Sequence, residues 1–282
     1  MHLWLSEVHT PHVRFDIQVN RHLFSGQSDF QRIDIYESME FGRILILDGS
    51  TMLTEKDEFV YHDMLVHVPM AINPNIKRVL VIGAGDGGIV RELTRYTAIE
   101  HMDMAEIDKM VVDACVEHLP QTASKMGDPR LNLYFEDGLK FVRNRTNEYD
   151  LIIVDSADPL GPGEGLFTKE FYGNCYNALT QNGIMVNQMG GVVYENDIIA
   201  MQRSFNRIKS TFPVARAYQA HVPTYPGGFW LFGFGSKSLH PVRNLKADDW
   251  NKLGLDTQYY NTKLHAGAFA QPNHILKMLQ EA

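Results

Sequence analysis

The first part of the chain alternates apolar and polar residues with a period of two, interrupted by turn residues. This pattern is typical of strands that bury one face. The runs are Val13–Val19, Phe30–Tyr36, Arg43–Leu47 and Thr51–Thr54. Asp48-Gly49 lies between the last two runs and is a hairpin-type turn. Residues 1–56 are therefore predicted to form a small antiparallel β domain.

After residue 56 the pattern changes to alternating helical and strand-like segments. Glu58–His67 has helical character, and short apolar runs recur from Lys77 onward. Strands are predicted over residues 78–82, 99–105, 131–135, 149–155, 183–188, about 214–221 and 228–235. Helices are predicted over residues 88–95, 108–118, 138–144, 168–179 and 196–210, with short helices in the tail. This alternation predicts a mostly parallel sheet with right-handed crossovers, in a catalytic domain spanning residues 57–282.

The last two predicted strands have no helix between them. They are joined by the turn-rich segment His221-Val-Pro-Thr-Tyr-Pro-Gly-Gly228, so the final strand is expected to be antiparallel. Seven strands that end in a hairpin resemble the class I S-adenosylmethionine-dependent methyltransferase fold, which is Rossmann-like. The expected fold class is therefore α/β, with helices on both faces of the sheet and a small β domain in front.

A glycine-rich turn follows the first strand of this sheet. The β-branched run Val79–Ile82 is typical of a strand buried on both faces, and Gly83, Gly85, Gly87 and Gly88 permit a close backbone approach to a ligand. Glu106 ends the next strand, where a carboxylate can accept hydrogen bonds from ribose hydroxyls. Asp86 is unusual among the glycines, because it would repel a pyrophosphate. It either caps the following helix or binds a cationic nucleoside.

Carboxylates collect at the ends of consecutive strands. Asp86 and Glu106 follow the first two strands, Asp137 with Gly138 follows the third, and Asp155 closes the fourth, with Asp158 close behind. Ligands of open α/β sheets bind beyond these strand ends. So many neighbouring acids stay ionised most readily when a cation is bound among them. The sequence thus favours a cationic ligand, although single acids at strand ends often serve only as helix caps.

Composition excludes several classes of function. The 282-residue chain has a formal net charge of −8, which argues against a nucleic-acid-binding surface. Two cysteines, with no secretory signal, point to a reducing compartment, and we expect a cytoplasmic protein. No apolar run reaches the length of a membrane span. His62 and His67 are poorly spaced to share a metal on one helix face, so no metal site is predicted.

The loop after the fourth strand carries the clearest family resemblance. Asp155-Ser-Ala-Asp-Pro-Leu-Gly-Pro162 resembles the active-site loop of the polyamine aminopropyltransferases, the spermidine synthases. Other stretches match in the same order across residues 12–236. They are Gln31 before Ile-Asp-Ile-Tyr-Glu, Leu47-Asp-Gly49, Asp57-Glu-Phe-Val-Tyr-His62, Gly85-Asp-Gly-Gly88, Glu106-Ile-Asp108, Asp137-Gly138 and Val222-Pro-Thr-Tyr-Pro-Gly-Gly228.

The resemblance implies a reaction and a role for each matching residue. The reaction is transfer of the aminopropyl group of decarboxylated S-adenosylmethionine to putrescine, with no metal or redox cofactor. Glu106 would hold the ribose, Asp137 with Gly138 the adenine, and Asp86 the donor amine. Asp155 would accept the proton. The remaining implied positions are Asp158 and Tyr225 beside the acceptor amine, Gln31, Tyr61 and His62 in the substrate pocket, and Pro162 over the nucleoside. A homodimer or homotetramer is also implied.

Some alternatives remain open at the level of sequence. A methyltransferase could use the same fold, but Asp86 would oppose its donor's carboxylate. A non-catalytic nucleoside-binding protein would not need both Asp155 and Tyr225. Tyr61 and His62 are also common in helices that enter a core. Met52 stands where many members have Gln, and Met189-Gly190-Gly191 differs from many members, so agmatine, cadaverine and spermidine remain alternative acceptors.

Overall fold

The structure is a computed structural model and describes residues 3–156 and 165–281; Asp158 and Pro162 lie outside the described residues. The N-terminal segment forms two antiparallel sheets, β1–β2 and β3–β4–β5–β6. Their strands are β1 (Leu3–Thr10), β2 (Val13–Val19), β3 (Arg21–Gln27), β4 (Arg32–Ser38), β5 (Gly42–Leu47) and β6 (Ser50–Thr54). The predicted antiparallel β domain is confirmed, although the sequence pattern did not reveal β1 and β3.

A buried helix, α1 (Glu58–Ile72), connects this segment to the central sheet. Every residue of α1 except Phe59 is buried, which explains why its apolar residues lie on all sides instead of forming a stripe. The helix continues five residues beyond the predicted end at His67 and includes Pro69. It therefore presents Tyr61 and His62 from inside the protein, not from a surface loop.

The central sheet has seven strands in the order β12-β13-β11-β10-β7-β8-β9. They are β7 (Arg78–Gly83), β8 (His101–Ala105), β9 (Leu131–Tyr134), β10 (Tyr149–Asp155), β11 (Leu179–Gly191), β12 (Val214–His221) and β13 (Phe229–Ser236). The strands from β7 to β11 pair in parallel, and β13 is antiparallel to both of its neighbours. The predicted parallel sheet with a final antiparallel hairpin is confirmed.

Helices cover both faces of this sheet. They are α2 (Gly88–Leu93), α3 (Lys109–His118), α4 (Pro120–Ala123), α5 (Gly138–Val142), α6 (Lys169–Ala178), α7 (Glu195–Thr211), α8 (Ala247–Asn251), α9 (Thr262–Ala268) and α10 (Asn273–Glu281). Along β7 the side chains alternate between two cores, because Val79 and Val81 pack with α1 and α2 while Leu80 and Ile82 pack with α6 and α7. None of the helices in the described part of the chain combines the length and apolar character that a membrane crossing requires.

The strand ends define where a ligand can bind. Asp155 at the end of β10 is directly opposite Gly83 at the end of β7, and its carbonyl accepts a hydrogen bond from the amide of Ala84. The sheet β3–β6 packs Ile35 and Leu45 against α3. The N-terminal β domain therefore forms a wall beside the carboxyl ends of the central strands.

Candidate active site

A cavity of about 510 Å³ lies at the carboxyl ends of the central strands, a volume typical of small-molecule sites. Strand ends, the glycine turn, α1 and β6 of the N-terminal domain enclose it. The predicted site residues that line it are Gln31, Tyr61, His62, Asp86, Glu106, Asp137, Gly138, Asp155 and Tyr225. The structure thus brings together all the described residues that the sequence proposed for the site.

Asp155 is placed at the reactive centre by the end of β10. The hydroxyl of Tyr61 donates a hydrogen bond to its Oδ1 at 2.5 Å. Burial raises the pKa of Asp155 to about 6, with a further upward contribution from the charge of Asp86, while His62 and Tyr61 act in the opposite direction. A carboxyl with a pKa close to neutrality is largely ionised at pH 7 and can still hold a proton transiently, which suits a general base.

Asp86 is paired with a buried histidine. The Nε2 atom of His62 lies 3.2 Å from Asp86 Oδ1, and the amide of Gly88 donates to the same oxygen at 2.8 Å. Burial alone would lower the pKa of His62, but the carboxylates of Asp86 and Glu58 outweigh it and raise this pKa to about 10. Asp86 therefore contacts the first amide of α2 and also forms one side of an ion pair inside the cavity.

The ion pair continues into the protein through two residues that the sequence analysis did not select. Glu58 Oε2 lies 2.5 Å from His62 Nδ1, and Arg91 donates to both oxygens of Glu58 at 2.7 and 2.9 Å. The side chains of Glu58 and His62 are almost fully buried. Gly88 makes room for the ring, because a Cβ there would lie 2.2 Å from His62 Cε1. The glycine is thus required by the histidine as much as by a ligand.

Glu106 and Asp137 form the other end of the cavity. Burial raises the pKa of Glu106 to about 7, and the nearby charges of Asp108 and Asp155 add to the effect. Its Oε1 accepts a hydrogen bond from the amide of Asp108 at 2.8 Å. Asp137 caps α5 by accepting from the amide of Leu139 at 2.8 Å. Asp137 thus keeps a second oxygen that can accept from a ligand, and Glu106 lines the cavity with main-chain amides on its carboxylate.

Tyr225 lies on the loop between β12 and β13. Its hydroxyl donates to the main-chain carbonyl of Met52 at 2.5 Å. The same loop is fixed because the amide and hydroxyl of Thr224 both donate to Asp57 Oδ2, at 2.9 and 2.6 Å. Because this bond uses the phenolic proton, the Tyr225 hydroxyl can contact any further group only as an acceptor. Because the acceptor is a main-chain carbonyl, this hydrogen bond does not depend on which side chain occupies position 52.

Further polar groups line the cavity beyond the predicted residues. Gln188 donates from Nε2 to the carbonyl of Ser156 at 2.9 Å, and its Oε1 has no hydrogen-bond partner among the described residues. The same holds for the buried Nε1 of Trp230. Gln188 lies near the end of β11, so the rule that selected the acidic strand ends could also have selected it. Gln31 donates to Asp108 Oδ2 at 3.0 Å and lies at the edge of the cavity.

Two clusters in the described part of the chain have donor atoms close enough to hold a metal. They are His62 with Asp86 and Asp155, and the buried group Asp63, His67 and Glu92, each with its donor atoms within 4.8 Å of one another. The two histidines of α1 thus belong to separate clusters. Both ring nitrogens of His62 already face carboxylates, so a metal would have to displace an existing ion pair. The absence of a metal from the reaction stays a prediction.

Comparisons with known proteins agree with this geometry. Residues 58–246 match the spermine/spermidine synthase domain, and residues 3–55 match the spermidine synthase tetramerisation domain, which supports a homo-oligomer. A polyamine aminopropyltransferase of Alkaliphilus oremlandii is 62% identical over 281 residues, covering 100% of this chain and 99% of the relative. One from Clostridium perfringens is 64% identical over 280 residues, covering 99% of each.

Solved structures give the same result. A spermidine synthase in complex with the transition state analogue AdoDATO aligns with a TM-score of 0.97 and 41% identity, covering 100% of this chain and 96% of the other. Spermidine synthase from Thermotoga maritima aligns with a TM-score of 0.93 and 39% identity, covering 99% and 95%. The chain belongs to the polyamine aminopropyltransferase family, the spermine and spermidine synthases.

Proposed function

We propose that the protein transfers the aminopropyl group of decarboxylated S-adenosylmethionine to putrescine, which yields spermidine and methylthioadenosine. The observation that carries this proposal is the meeting of Asp86, Glu106, Asp137 and Asp155 in one cavity. Such a set of acids suits a nucleoside that bears both a sulfonium and an ammonium, together with a cationic acceptor. Family membership supports the same reaction class.

The carboxylates divide between the two substrates. In this proposal the ribose hydroxyls bind Glu106, the adenine amino group binds Asp137, and the donor ammonium binds Asp86. Gly138 suits the nucleoside end, because a Cβ there would lie 2.3 Å from Ile82 Cγ2 and the main chain must pass close to β7. Roles for Asp158 and Pro162 remain predictions from the resemblance.

The reaction is a direct displacement. The acceptor nitrogen forms a bond to the propyl carbon while the bond from that carbon to sulfur breaks. The electron pair of the broken bond stays on sulfur, so methylthioadenosine leaves as a neutral thioether. The acceptor first has to lose a proton. For an alkyl ammonium with a pKa of about 10.4 this costs roughly 4–5 kcal/mol at pH 7.

Asp155 is the proposed proton acceptor for this step. Its pKa of about 6 keeps it ionised at neutral pH, and Tyr61 holds one of its oxygens in a fixed direction. The oxygen of Tyr225 can accept a second N–H of the amine and so orient its lone pair. The chemistry needs no metal or redox cofactor, since the sulfonium already activates the donor. We further propose a cytoplasmic homodimer or homotetramer.

A turnover assay with a panel of acceptors tests the proposal. Purified protein is incubated with decarboxylated S-adenosylmethionine and putrescine, cadaverine, agmatine or spermidine, and products are identified by mass spectrometry. We expect spermidine and methylthioadenosine, with the highest kcat/KM for putrescine. A clearly higher kcat/KM for another amine would retain the reaction class and reject the substrate. A parallel arm with ordinary S-adenosylmethionine tests the methyltransferase alternative, which methylated products would support.

A further inference from the structure

The far end of the cavity contains an acid that belongs neither to the glycine turn nor to the ends of the parallel strands. Asp197 lies in the first turn of α7 and lines the cavity. His9 of β1 lies beside it, with His9 Nε2 3.0 Å from Asp197 Oδ2. Both side chains are largely buried. This contact joins the N-terminal hairpin to α7 and closes the cavity at the end away from the glycine turn.

Two glycines give the cavity access to this acid. A Cβ at Gly191 would lie 3.2 Å from Asp197 Oδ2, so the end of β11 passes directly beside the carboxylate. A Cβ at Gly190 would meet no atom of the described residues within 4 Å. A larger side chain at Gly191 would intrude into the space next to Asp197. The Met189-Gly190-Gly191 segment therefore leaves this end open.

A buried polar atom without a partner among the described residues lies between the two ends and can accept a hydrogen bond from a ligand. Gln188 is only 5% exposed and lines the cavity, and its Oε1 has no partner among the described residues. Its Nε2 is bound to the carbonyl of Ser156, which places it beside Asp155. A buried acceptor without a donor is unfavourable, so an N–H group of a bound ligand is the expected partner.

The two acidic ends are separated by a distance that suits a short diamine. Gln188 marks the Asp155 end and Gly191 the Asp197 end, and three residues of strand extend roughly 10 Å or somewhat less. Two charge-assisted contacts of about 2.8 Å take up part of this span. A diamine of three or four carbons, with about 5–6 Å between its nitrogens by ordinary bond lengths, spans the two ends when its contacts to the carboxylates lie at an angle to this line.

We propose that Asp197 binds the distal ammonium of the acceptor and so makes the site specific for short α,ω-diamines. The proposal rests on the proposed function and identifies the residue that recognises the far end of its acceptor. Asp197 Oδ2 faces His9, whereas Oδ1 has no donor among the described residues. One available oxygen matches an ammonium better than a guanidinium, which prefers both oxygens of a carboxylate.

Glu7 is the other acid at this end and serves a different purpose. Its side chain is buried, and its Oε2 accepts a hydrogen bond from the amide of Thr51 at 3.0 Å. This bond fixes β1 against β6 and thereby holds His9 over the cavity. Replacing Glu7 would disturb the hairpin itself, so Asp197 gives the cleaner test.

The test compares acceptors with and without a distal ammonium. Steady-state kinetics are measured for the unmutated protein and for Asp197→Asn, with putrescine and with 1-aminobutane as acceptors. Because a hydrogen bond to a charged group is lost, KM for putrescine should rise about tenfold to a hundredfold. The value of kcat should change less than about twofold, and KM for 1-aminobutane and for the donor should stay the same.

Glu195→Gln is the matched control. Glu195 lies in the same first turn of α7, carries the same charge and does not line the cavity. Its replacement should leave all KM values unchanged. Asp197→Glu keeps the charge and moves it toward Asp155, so it should favour 1,3-diaminopropane over putrescine relative to the unmutated protein. This variant also provides a test if Asp197→Asn folds poorly.

Several outcomes would overturn the inference. One is an unchanged KM for putrescine in Asp197→Asn, and another is an equal rise for 1-aminobutane, which would indicate a general distortion. Preference of the unmutated protein for agmatine over putrescine would also reject it. In each of these cases aminopropyl transfer itself would stand. If the unmutated protein transferred the aminopropyl group to no amine, the proposed function would fall and this inference with it.

Discussion

Replacing Tyr61 by phenylalanine should move the acid side of the pH–rate profile to higher pH. The hydroxyl of Tyr61 donates to Asp155 Oδ1 at 2.5 Å and stabilises the ionised carboxylate. Burial keeps the pKa of Tyr61 well above its usual value, so the hydroxyl remains a donor throughout the accessible range. The ring packs edge-on against Phe232 and Tyr225, and phenylalanine preserves those contacts. The substitution therefore removes little more than one hydrogen bond.

The size of the shift follows from that bond. Hydrogen bonds to charged groups contribute about 1.5–3 kcal/mol, which corresponds to roughly one to two pKa units. From a starting pKa of about 6, the midpoint for Asp155 should move up by at least about one unit. At pH 6.5 the ionised fraction should then fall from about three quarters to about one quarter. Because Asp155 and Asp86 interact, the measured midpoint belongs to the pair.

The assay measures kcat/KM for the acceptor between pH 5.5 and 9.5 at saturating donor concentration. Turnover is monitored as the formation of methylthioadenosine. Tyr218→Phe is the control, since Tyr218 is fully buried and donates to the carbonyl of Met64 without touching Asp155. Only Tyr61→Phe should move the acid midpoint. A profile for Tyr61→Phe that superimposes on the unmutated one would show that this hydrogen bond does not support the charge of the base, or that another group is the base.

Further predictions at three positions, Asp155, Glu106 and Gly88, concern charge and space in the cavity. Asp155→Asn should lower the rate constant of aminopropyl transfer, measured in single-turnover assays, by about 10²–10⁴-fold. In the unmutated protein the pKa of Asp155 is about 6 when folded, above the value of 3.8 for the unfolded chain. The contribution of this carboxyl to the free energy of unfolding is therefore fully present below pH 3.8 and is lost as the pH rises through 6. The Asn variant should therefore have a higher Tm than the unmutated protein at pH 8, but not below pH 4. Methylthioadenosine affinity, measured by calorimetry, should weaken as the pH falls below 7 because Glu106 becomes protonated, and Glu106→Gln should remove this dependence. Gly88→Ala should displace His62 and lower Tm. Gly173→Ala is the control, because a Cβ there has open space, and its Tm should be unchanged or slightly raised. Equal changes of Tm in the two variants would reject the steric argument.

The architecture was largely predictable because its strongest signals are local. The run Val79–Ile82 is apolar because both faces of β7 are buried, and the spacing between such runs indicated the helices. The strands β1 and β3 were missed for the opposite reason. Leu3, Trp4 and Val8 of β1 are exposed, so this strand has no clean alternation of buried and exposed positions. Both β1 and β3 pair with a neighbour on one side only, and such edge strands can leave little pattern in the sequence.

The site was predictable to the extent that strand ends determine it. Parallel strands bring their carboxyl ends to one edge, so the acids after β7, β8 and β10 had to lie near each other. The partners of those acids were not predictable in the same way. Tyr61 reaches Asp155 across 94 residues, and Arg91 reaches Glu58 across 33. Such pairs depend on how α1 packs between the sheet and α2, and no spacing in the sequence encodes that packing.

The pairing of Asp86 also changes how it can discriminate between donors. As a lone charge about 4 Å from the carboxylate of ordinary S-adenosylmethionine, at an effective dielectric near 20, Asp86 would repel it by roughly 4 kcal/mol. His62 places a positive charge 3.2 Å behind Asp86. At about 7 Å from the same carboxylate, this charge would return roughly 2 kcal/mol of attraction. The remaining repulsion of about 2 kcal/mol corresponds to roughly thirtyfold discrimination. Treating Asp86 as an isolated charge therefore overestimates how strongly it discriminates between the two donors. The charge of His62, which holds Asp86 in place, offsets about half of the electrostatic repulsion.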